Sequence, residues 1–359
     1  MPDLSIDGRA VTPEPGEDLL ACVRRHGAAV PSLCRDGRLD AIGACRACVV
    51  KLDGRVVASC TRRAADGGAV VTDDPELRTL RRAVVELAAS LLPAGPCPRC
   101  AIDAAVPGSG GRCEFHRMAT LVEARPGRFA GAQSGVHRTD DDNPFLDRDY
   151  SRCINCYRCV SVCDELEADT ALGVSGRGFF ARITAGADTG LADSTCEFCG
   201  LCINTCPTGA LSDKKRTARV PADLRPEEIR RVDTVCAYCG TGCGVTLETA
   251  RGKLLGAHPR FDHPMSNGTL CVKGQFGLDF ISHPDRLTTP LIREHGALRR
   301  ATWDEALDYV ATRLAPLRGR PEAFAAWPSS RTTTESNYLL QKFARAVMRT
   351  NNVDNCQRT

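Results

Sequence analysis

Apolar residues along the chain fall into short runs, each closed by a turn. Leu4-Ser5-Ile6 and Ala10-Val11 flank Asp7-Gly8, which predicts a β-hairpin. After the Pro15-Gly16 turn, Asp18 to Arg25 predicts a helix with Leu19, Cys22 and Val23 on its apolar side. Val49 to Leu52 and Val56 to Ser59 flank Asp53-Gly54, a second hairpin, and Leu77 to Leu92 has the period of a longer helix. Lys214 to Asp233 is charged and contains Pro221 and Pro226, so it reads as a linker or crossover. Val245 to Glu248 and Leu254 to Ala257 flank the Arg251-Gly252 turn as a third strand pair. From Trp303 to Ala315, Trp303, Ala306, Leu307, Val310, Ala311 and Leu314 share one helical face, with Thr302 as N-cap and Glu305 as the capping-box acid. Phe324 to Trp327 reads as a short strand and Glu335 to Met348 as another helix. Helix, strand, helix opens an α/β domain, and the roughly 60 residues available are too few to close one.

Composition shows why turns dominate. The 359 residues include 32 Gly and 21 Pro, and only 5% are aromatic. Large core-forming side chains are scarce. A formal charge of +3 is too balanced to make nucleic acid or an acidic surface the main partner. No run of 18 apolar residues exists to span a membrane. The first residues carry neither a basic region with an apolar run nor a twin Arg, so a cytoplasmic, reducing location is expected.

Against that background, 21 cysteines decide the class. In a reducing compartment clustered cysteines mean metal. Cys153-x2-Cys156-x2-Cys159-x3-Cys163 recurs as Cys196-x2-Cys199-x2-Cys202-x3-Cys206-Pro207. This is the run of a two-cluster ferredoxin, in which the fourth cysteine of each run serves the other cluster. Cys153, Cys156, Cys159 and Cys206 are therefore expected to hold one [4Fe–4S] cluster, and Cys163, Cys196, Cys199 and Cys202 the second. Four-thiolate zinc sites normally use two C-x2-C knuckles and do not need this third and fourth spacing.

Cys34-x10-Cys45-x2-Cys48-x11-Cys60 has a longer first gap than plant-type ferredoxins, but lies between the predicted helix and the second hairpin as in a β-grasp. It is expected to hold a [2Fe–2S] cluster, with zinc as the alternative. Cys22 reads as a buried core thiol. Cys236-x2-Cys239-x3-Cys243-x27-Cys271 is threaded with Gly240, Gly242 and Gly244, which give the backbone room to wrap a cube; a [4Fe–4S] cluster is expected, again with zinc as the alternative. Cys97-x2-Cys100-x12-Cys113 offers only three thiolates, with His116 close behind. Three readings stay open there: a cubane with His116 as fourth ligand, a cubane with another or no protein ligand, or no cluster.

The order of these groups resembles the N-terminal half of the catalytic subunits of NAD-linked molybdenum or tungsten formate dehydrogenases, in the molybdopterin oxidoreductase family. The G-type subunits of the NADH:quinone oxidoreductases and the accessory part of iron-only hydrogenases share much of it. Cys271-Val272-Lys273-Gly274 followed by His283-Pro284-Asp285-Arg286-Leu287-Thr288-Thr289-Pro290-Leu291 resembles the molybdopterin entry segment, which an iron-only hydrogenase lacks. Glu335-Ser336-Asn337-Tyr338 and Asn351-Asn352-Val353-Asp354 resemble the formate dehydrogenases more than the quinone oxidoreductase subunit.

The resemblance implies an α+β multi-domain chain. It places a β-grasp [2Fe–2S] ferredoxin domain over 1–76, a His-Cys-type cluster segment over 77–120 and a double [4Fe–4S] ferredoxin domain over 144–216. A [4Fe–4S] domain of the bis-molybdopterin guanine dinucleotide (bis-MGD) type follows over 229–285, then the start of an α/β molybdopterin oxidoreductase domain over 286–359. It implies that formate loses two electrons and a hydride or proton at the bis-MGD molybdenum or tungsten of the full-length enzyme, giving CO2. The electrons would run from the Cys236 cluster through the ferredoxin pair and the Cys97 group to the [2Fe–2S] centre, then to a partner subunit carrying flavin, NAD and iron–sulfur clusters. Lys273 would be a relay between cubane and pterin. The alternative is a non-catalytic electron-transfer subunit of an NADH:quinone oxidoreductase. The chain departs from the family's His-x3-Cys-x2-Cys-x5-Cys set, with Pro93 at the histidine position and twelve residues in the last gap, a glycine-rich loop over Ala101 to Arg112. By the same resemblance the next residue after Thr359 would be the metal-ligating cysteine or selenocysteine. A reading frame cut at a selenocysteine codon is therefore expected, with an ordinary fragment boundary as the alternative, and with no formate dehydrogenase activity in this piece alone. Cys356 is expected to be a structural thiol.

Overall fold

The computed structural model describes residues 4–356 except 94, 96, 98, 101–112, 126, 130–138 and 141–142. The glycine-rich loop expected between Ala101 and Arg112 lies outside the described residues. Strands β1 (Leu4–Ile6) and β2 (Arg9–Val11) form the first hairpin, and α1 (Leu19–Arg25) follows, capped by Asp18 accepting from the Ala21 amide. β3 (Val49–Leu52) and β4 (Arg55–Ala58) form the second hairpin, and β5 (Gly68–Val71) closes a five-stranded sheet in the order β2-β1-β5-β3-β4. β1 and β5 run parallel and every other pair is antiparallel, the mixed sheet of a β-grasp. Leu19, Leu20, Cys22 and Val23 of α1 pack on Leu4, Ile6, Val50 and Val70, which explains the helix's apolar side.

Asp74 caps α2 (Pro75–Ala89), which starts two residues earlier than the periodicity suggested and ends before Leu91 and Leu92. α3 (Glu114–Leu121) has Cys113 as its N-cap and packs beside α2. β6 (Thr139–Asp140) and β7 (Leu146–Asp149) precede the ferredoxin unit, which carries α4 (Arg158–Ser161), continued by π-helical turns over Val162–Leu166, and α5 (Leu201–Thr205). The hairpin of β8 (Leu172–Ser175) and β9 (Arg182–Ala185) joins them, and β10 (Leu211–Asp213) pairs with β7.

The stretch read as a linker or crossover, Lys214 to Asp233, is structured at both ends. It forms α6 (Lys214–Arg219) and most of β11 (Arg230–Val235), which pairs with β12 (Gly244–Ala250); β13 (Lys253–Pro259) completes the sheet. Its charges are ion pairs: Arg216 and Arg231 bind the fully buried Glu248, and Lys215 and Arg219 bind Asp279. α7 (Val272–Phe276) starts at Cys271.

β14 (Leu291–Glu294) and β15 (Ala297–Arg300) make a small hairpin, and α8 (Trp303–Leu314) carries the expected Thr302–Glu305 capping box. The apolar face of α8 is open: Trp303 is 71% and Leu307 60% exposed. Phe324 to Trp327 is not a strand but one parallel bridge, Ala326 to Val353. The last helix, α9 (Thr334–Lys342), starts one residue early and widens to π-helical turns over Phe343–Met348. Among the described residues no helix is long and apolar enough to cross a membrane.

Candidate metal centres

The four cysteines of the β-grasp unit converge on a loop held by unusual backbone. Arg46 takes a left-handed φ of +55° and Gly43 one of +62°, where a Cβ would stand 2.8 Å from Thr61 Cγ2. Cys48 and Cys60 sulfurs are 3.4 Å apart. Backbone amides point at the others: Leu33 N–H donates to Cys45 Sγ at 3.4 Å and Cys45 N–H to Cys34 Sγ at 3.5 Å. Hydrogen bonding from Cys45 and Cys60 pulls the Cys34 thiol far below its usual range, and Cys60 brings Cys48 down to about 6. Bonding to Cys34 and burial push Cys45 and Cys60 up. Cys34 bonds Cys45 and Cys60, and Cys60 bonds Cys48, so the four sulfurs form one connected group, and four cysteines are a set that holds a two-iron cluster.

The ferredoxin repeat is a repeat of backbone as well as of letters. Asn155 and Phe198, two residues into each run, take φ of +52° and +57°; Tyr157 and Gly200, four residues in, take +61° and +80°. The matching amides make matching bonds: Asn155 N–H to Cys153 Sγ and Phe198 N–H to Cys196 Sγ, both 3.4 Å. Each left-handed step turns the chain so that three successive cysteines face one point, and α4 or α5 then starts. Cys153, Cys156, Cys159 and Cys206 line one small cavity. Cys163 lies close enough to Cys196, Cys199 and Cys202 for its charge to raise all three thiols. Burial is the larger cause throughout, taking Cys153 and Cys196 to about 11 and Cys156 to about 12. Thiols so desolvated stay protonated until a metal takes them, so metal binding here releases protons.

In the next unit the Cys236 amide bonds the Cys243 carbonyl at 2.8 Å, closing the Cys236–Cys243 loop. Gly244 is tight, since a Cβ there would meet the His263 ring at 2.4 Å. The β12–β13 sheet returns the chain beside Cys236 and Cys243, whose thiols are raised chiefly by burial, with the Cys271 charge adding to it. Cys239 and Cys271 are exposed. Lys273 is exposed too and contributes to lowering the Cys239 thiol, after the larger effect of Thr241. Cys356 is a surface thiol, not a core one, accepting from the Ser330 amide at 3.5 Å; Ser330 also approaches Gly240. Cys22 is fully buried, and burial raises its thiol to about 11.

Cys97, Cys100, Cys113 and His116 come together, with all four ligand atoms within 4.8 Å of one another. His116 Nδ1 is 3.2 Å from Cys100 Sγ and 3.1 Å from Cys113 Sγ.

Sequence reasoning missed the side chains that hold these centres in register. Arg158, 6% exposed, pairs with Glu114 of α3 and donates to the carbonyls of Thr205 in the ferredoxin unit and Arg35 in the [2Fe–2S] loop. Asp36, next to Arg35, accepts from Thr205 Oγ1 at 2.9 Å. The only sequence signal was an arginine inside a cysteine run.

Gly200 abuts α7: a Cβ would stand 2.7 Å from Gln275 Cγ and 3.3 Å from Phe276 Cζ. Gly200→Ala combines that clash with the φ of +80° and is expected to cost about 2 kcal/mol. A urea midpoint indistinguishable from the parent at equal iron content would contradict this.

Comparison with known proteins gives four family matches. They are a 2Fe-2S iron-sulfur cluster binding domain over 3–75 and the ferredoxin-like domain of NADH-quinone oxidoreductase subunit 3 over 143–212. A molybdopterin oxidoreductase Fe4S4 domain matches 229–283 and a molybdopterin oxidoreductase domain 286–359. A G-type NADH-quinone oxidoreductase subunit of Rhizobium meliloti (strain 1021) is 34% identical over 98% of this chain and 40% of its own. A protein of Staphylococcus aureus (strain USA300) named "Putative formate dehydrogenase" is 28% identical over 99% of this chain and 39% of its own. The chain thus spans about two fifths of the length of these relatives. A crystal structure of an NAD+-reducing [NiFe]-hydrogenase superposes with a TM-score of 0.52 at 27% identity, covering 62% of this chain and 92% of that one.

Proposed function

The chain carries the Fe4S4 and molybdopterin domains of the molybdopterin oxidoreductase family behind two ferredoxin-type domains, and from that premise we propose that it is the electron conduit of a formate dehydrogenase. Cys34, Cys45, Cys48 and Cys60 hold a [2Fe–2S] cluster. Three [4Fe–4S] clusters are held by Cys153, Cys156, Cys159 and Cys206, by Cys163, Cys196, Cys199 and Cys202, and by Cys236, Cys239, Cys243 and Cys271. Bound clusters of this kind take and release electrons singly, at potentials set by cluster type, charge and hydrogen bonds to sulfur. Mo or W bis-MGD of the full-length protein supplies the formate chemistry, and a flavin partner that binds NAD accepts the electrons.

The observation that carries this reading is unbroken contact between the ligand loops. Cys271 opens α7, and Gln275 of α7 accepts from Asn204 at 3.0 Å while Phe276 packs in the core that includes Cys196 and Cys202. That core also contains Cys153, Cys159, Cys163 and Cys206. On the far side, Ile154 and Cys156 of the ferredoxin run pack with Leu33, Cys45 and Ala47 of the β-grasp loop. This chain's residues thereby fix the spacing of four centres and leave only Cys239 and Cys271 of their sixteen cysteines exposed. Lys273, whose charge acts on the exposed Cys239, would by the family resemblance stand between this cluster and the pterin.

Formate as donor rests on the Staphylococcus relatives. The Rhizobium relative favours a second reading, an electron-transfer subunit of an NADH:quinone oxidoreductase without molybdenum or tungsten. The full-length protein with its natural partners separates them. Formate should bleach the cluster absorbance of a molybdenum- or tungsten-loaded enzyme, and Lys273→Met should slow that at least about tenfold with iron unchanged. Bleaching by NADH but not by formate, in protein free of both metals, is the result of the second reading.

A further inference from the structure

We infer that Cys97, Cys100, Cys113 and His116 bind a single zinc ion rather than an iron–sulfur cubane. Their four donor atoms lie within 4.8 Å of one another, and the imidazole Nδ1 is 3.1–3.2 Å from two of the sulfurs. Around one tetrahedral ion, with metal–sulfur bonds of about 2.3 Å and metal–nitrogen bonds of about 2.0 Å, sulfurs stand about 3.8 Å apart and sulfur and nitrogen about 3.6 Å. Thiolates on the corners of a cubane stand roughly 6 Å apart, because the cube lies between them. The observed set lies far nearer the first geometry and is too closed for the second. Among the described residues no other set of His, Cys, Asp or Glu donors closes to this degree, although the ferredoxin cysteines use the same C-x2-C spacing.

The local fold builds the site. Cys113 is the N-cap of α3 and His116 lies in its first turn, so both face the same side. The Cys113 amide donates to Cys100 Sγ at 3.3 Å, and Phe115 meets the His116 ring edge-on at 5.5 Å. Three thiolates and a neutral imidazole form a closed structural zinc set with no open position. α3 is tied to the ferredoxin unit by Glu114–Arg158 and by the Phe115 amide on the Pro207 carbonyl. The ion's cysteines also share a core with Cys45 of the [2Fe–2S] loop and Cys156 of the ferredoxin. Zinc is redox-inert, so it pins the junction while the Cys45 and Cys153 loops face each other without it.

The inference does not depend on formate as substrate, and metal analysis tests it separately. Full-length protein purified without oxygen should carry about one zinc per chain, and its zinc absorption edge should report three sulfurs and one imidazole nitrogen. Cys113→Ser and His116→Ala should each lose that zinc and keep all the iron. Loss of about four irons in Cys113→Ser, or a parent protein without zinc in this sulfur–nitrogen shell, overturns the inference. If either variant does not fold, the zinc spectrum of the parent decides alone.

Discussion

Chelating the iron from this chain is expected to unfold residues 144–216 while leaving the β-grasp unit folded. The ferredoxin unit has one five-residue helix, one four-residue helix continued by a π-helical stretch over Val162–Leu166, and strands of three and four residues, all too short to stand alone. Cysteines 153, 163, 196, 202 and 206 are themselves part of its core wall, so removing their metal removes packing from the centre. The β-grasp core is different. Leu4, Ile6, Leu19, Leu20, Val23, Val50 and Val70 are buried together on a five-stranded sheet; Cys48 and Cys60 are buried with them, but this apolar set packs without them. Iron analysis before chelation should return about fourteen atoms per chain from the four centres. Limited proteolysis after chelation should degrade 144–216 and spare a fragment near 4–71. Survival of both, or loss of both at the same chelator concentration, would count against the argument. Cys202→Ala alone should remove about four irons.

Glu248→Gln should detach the β11–β13 sheet from α6 at a cost of about 3–5 kcal/mol. Glu248 is 0% exposed; its carboxylate accepts from Arg216 Nε at 2.6 Å and Arg231 Nε at 3.0 Å, with His258 Nε2 at 3.3 Å. Burial alone would raise this carboxyl, but His258 and Arg216 hold it well below the usual glutamate range. A depressed carboxyl contributes its full stabilisation above the ordinary glutamate range and loses it on acidification through its folded-state value, so the contribution is complete at neutral pH. The amide removes the charge and leaves Arg216, itself 5% exposed, in a buried site without an anion. Gly256 is part of the same arrangement, because a Cβ there would press on the Arg216 stem at 3.2 Å. A urea midpoint for Glu248→Gln close to that of the parent, with iron unchanged, would remove the basis for this ion set as the joint. Replacing Glu248, Arg216 and Arg231 together by apolar side chains should cost much less than the single change.

The sequence by itself determined the features that need only neighbouring residues. Three cysteines at x2 spacing can face one point through left-handed steps inside the same seven residues, so both ferredoxin runs were legible. The hairpins at Asp7-Gly8, Asp53-Gly54 and Arg251-Gly252 and the Thr302–Glu305 cap were legible for the same reason. Tertiary structure decided whatever depends on a distant partner. Lys214 to Asp233 read as a linker or crossover from its charges and its two prolines; the counterion for Arg216 and Arg231, Glu248, comes from a later strand and is buried by it. Phe324 to Trp327 has strand composition, but a strand needs a ladder, and Val353 supplies a single bridge. Three thiolates and a histidine at Cys97 to His116 admitted several metal chemistries, since spacing along a chain sets which donors can meet and not how closely. Only the packing of α3 against α2 and the ferredoxin unit set that distance, at under 4.8 Å.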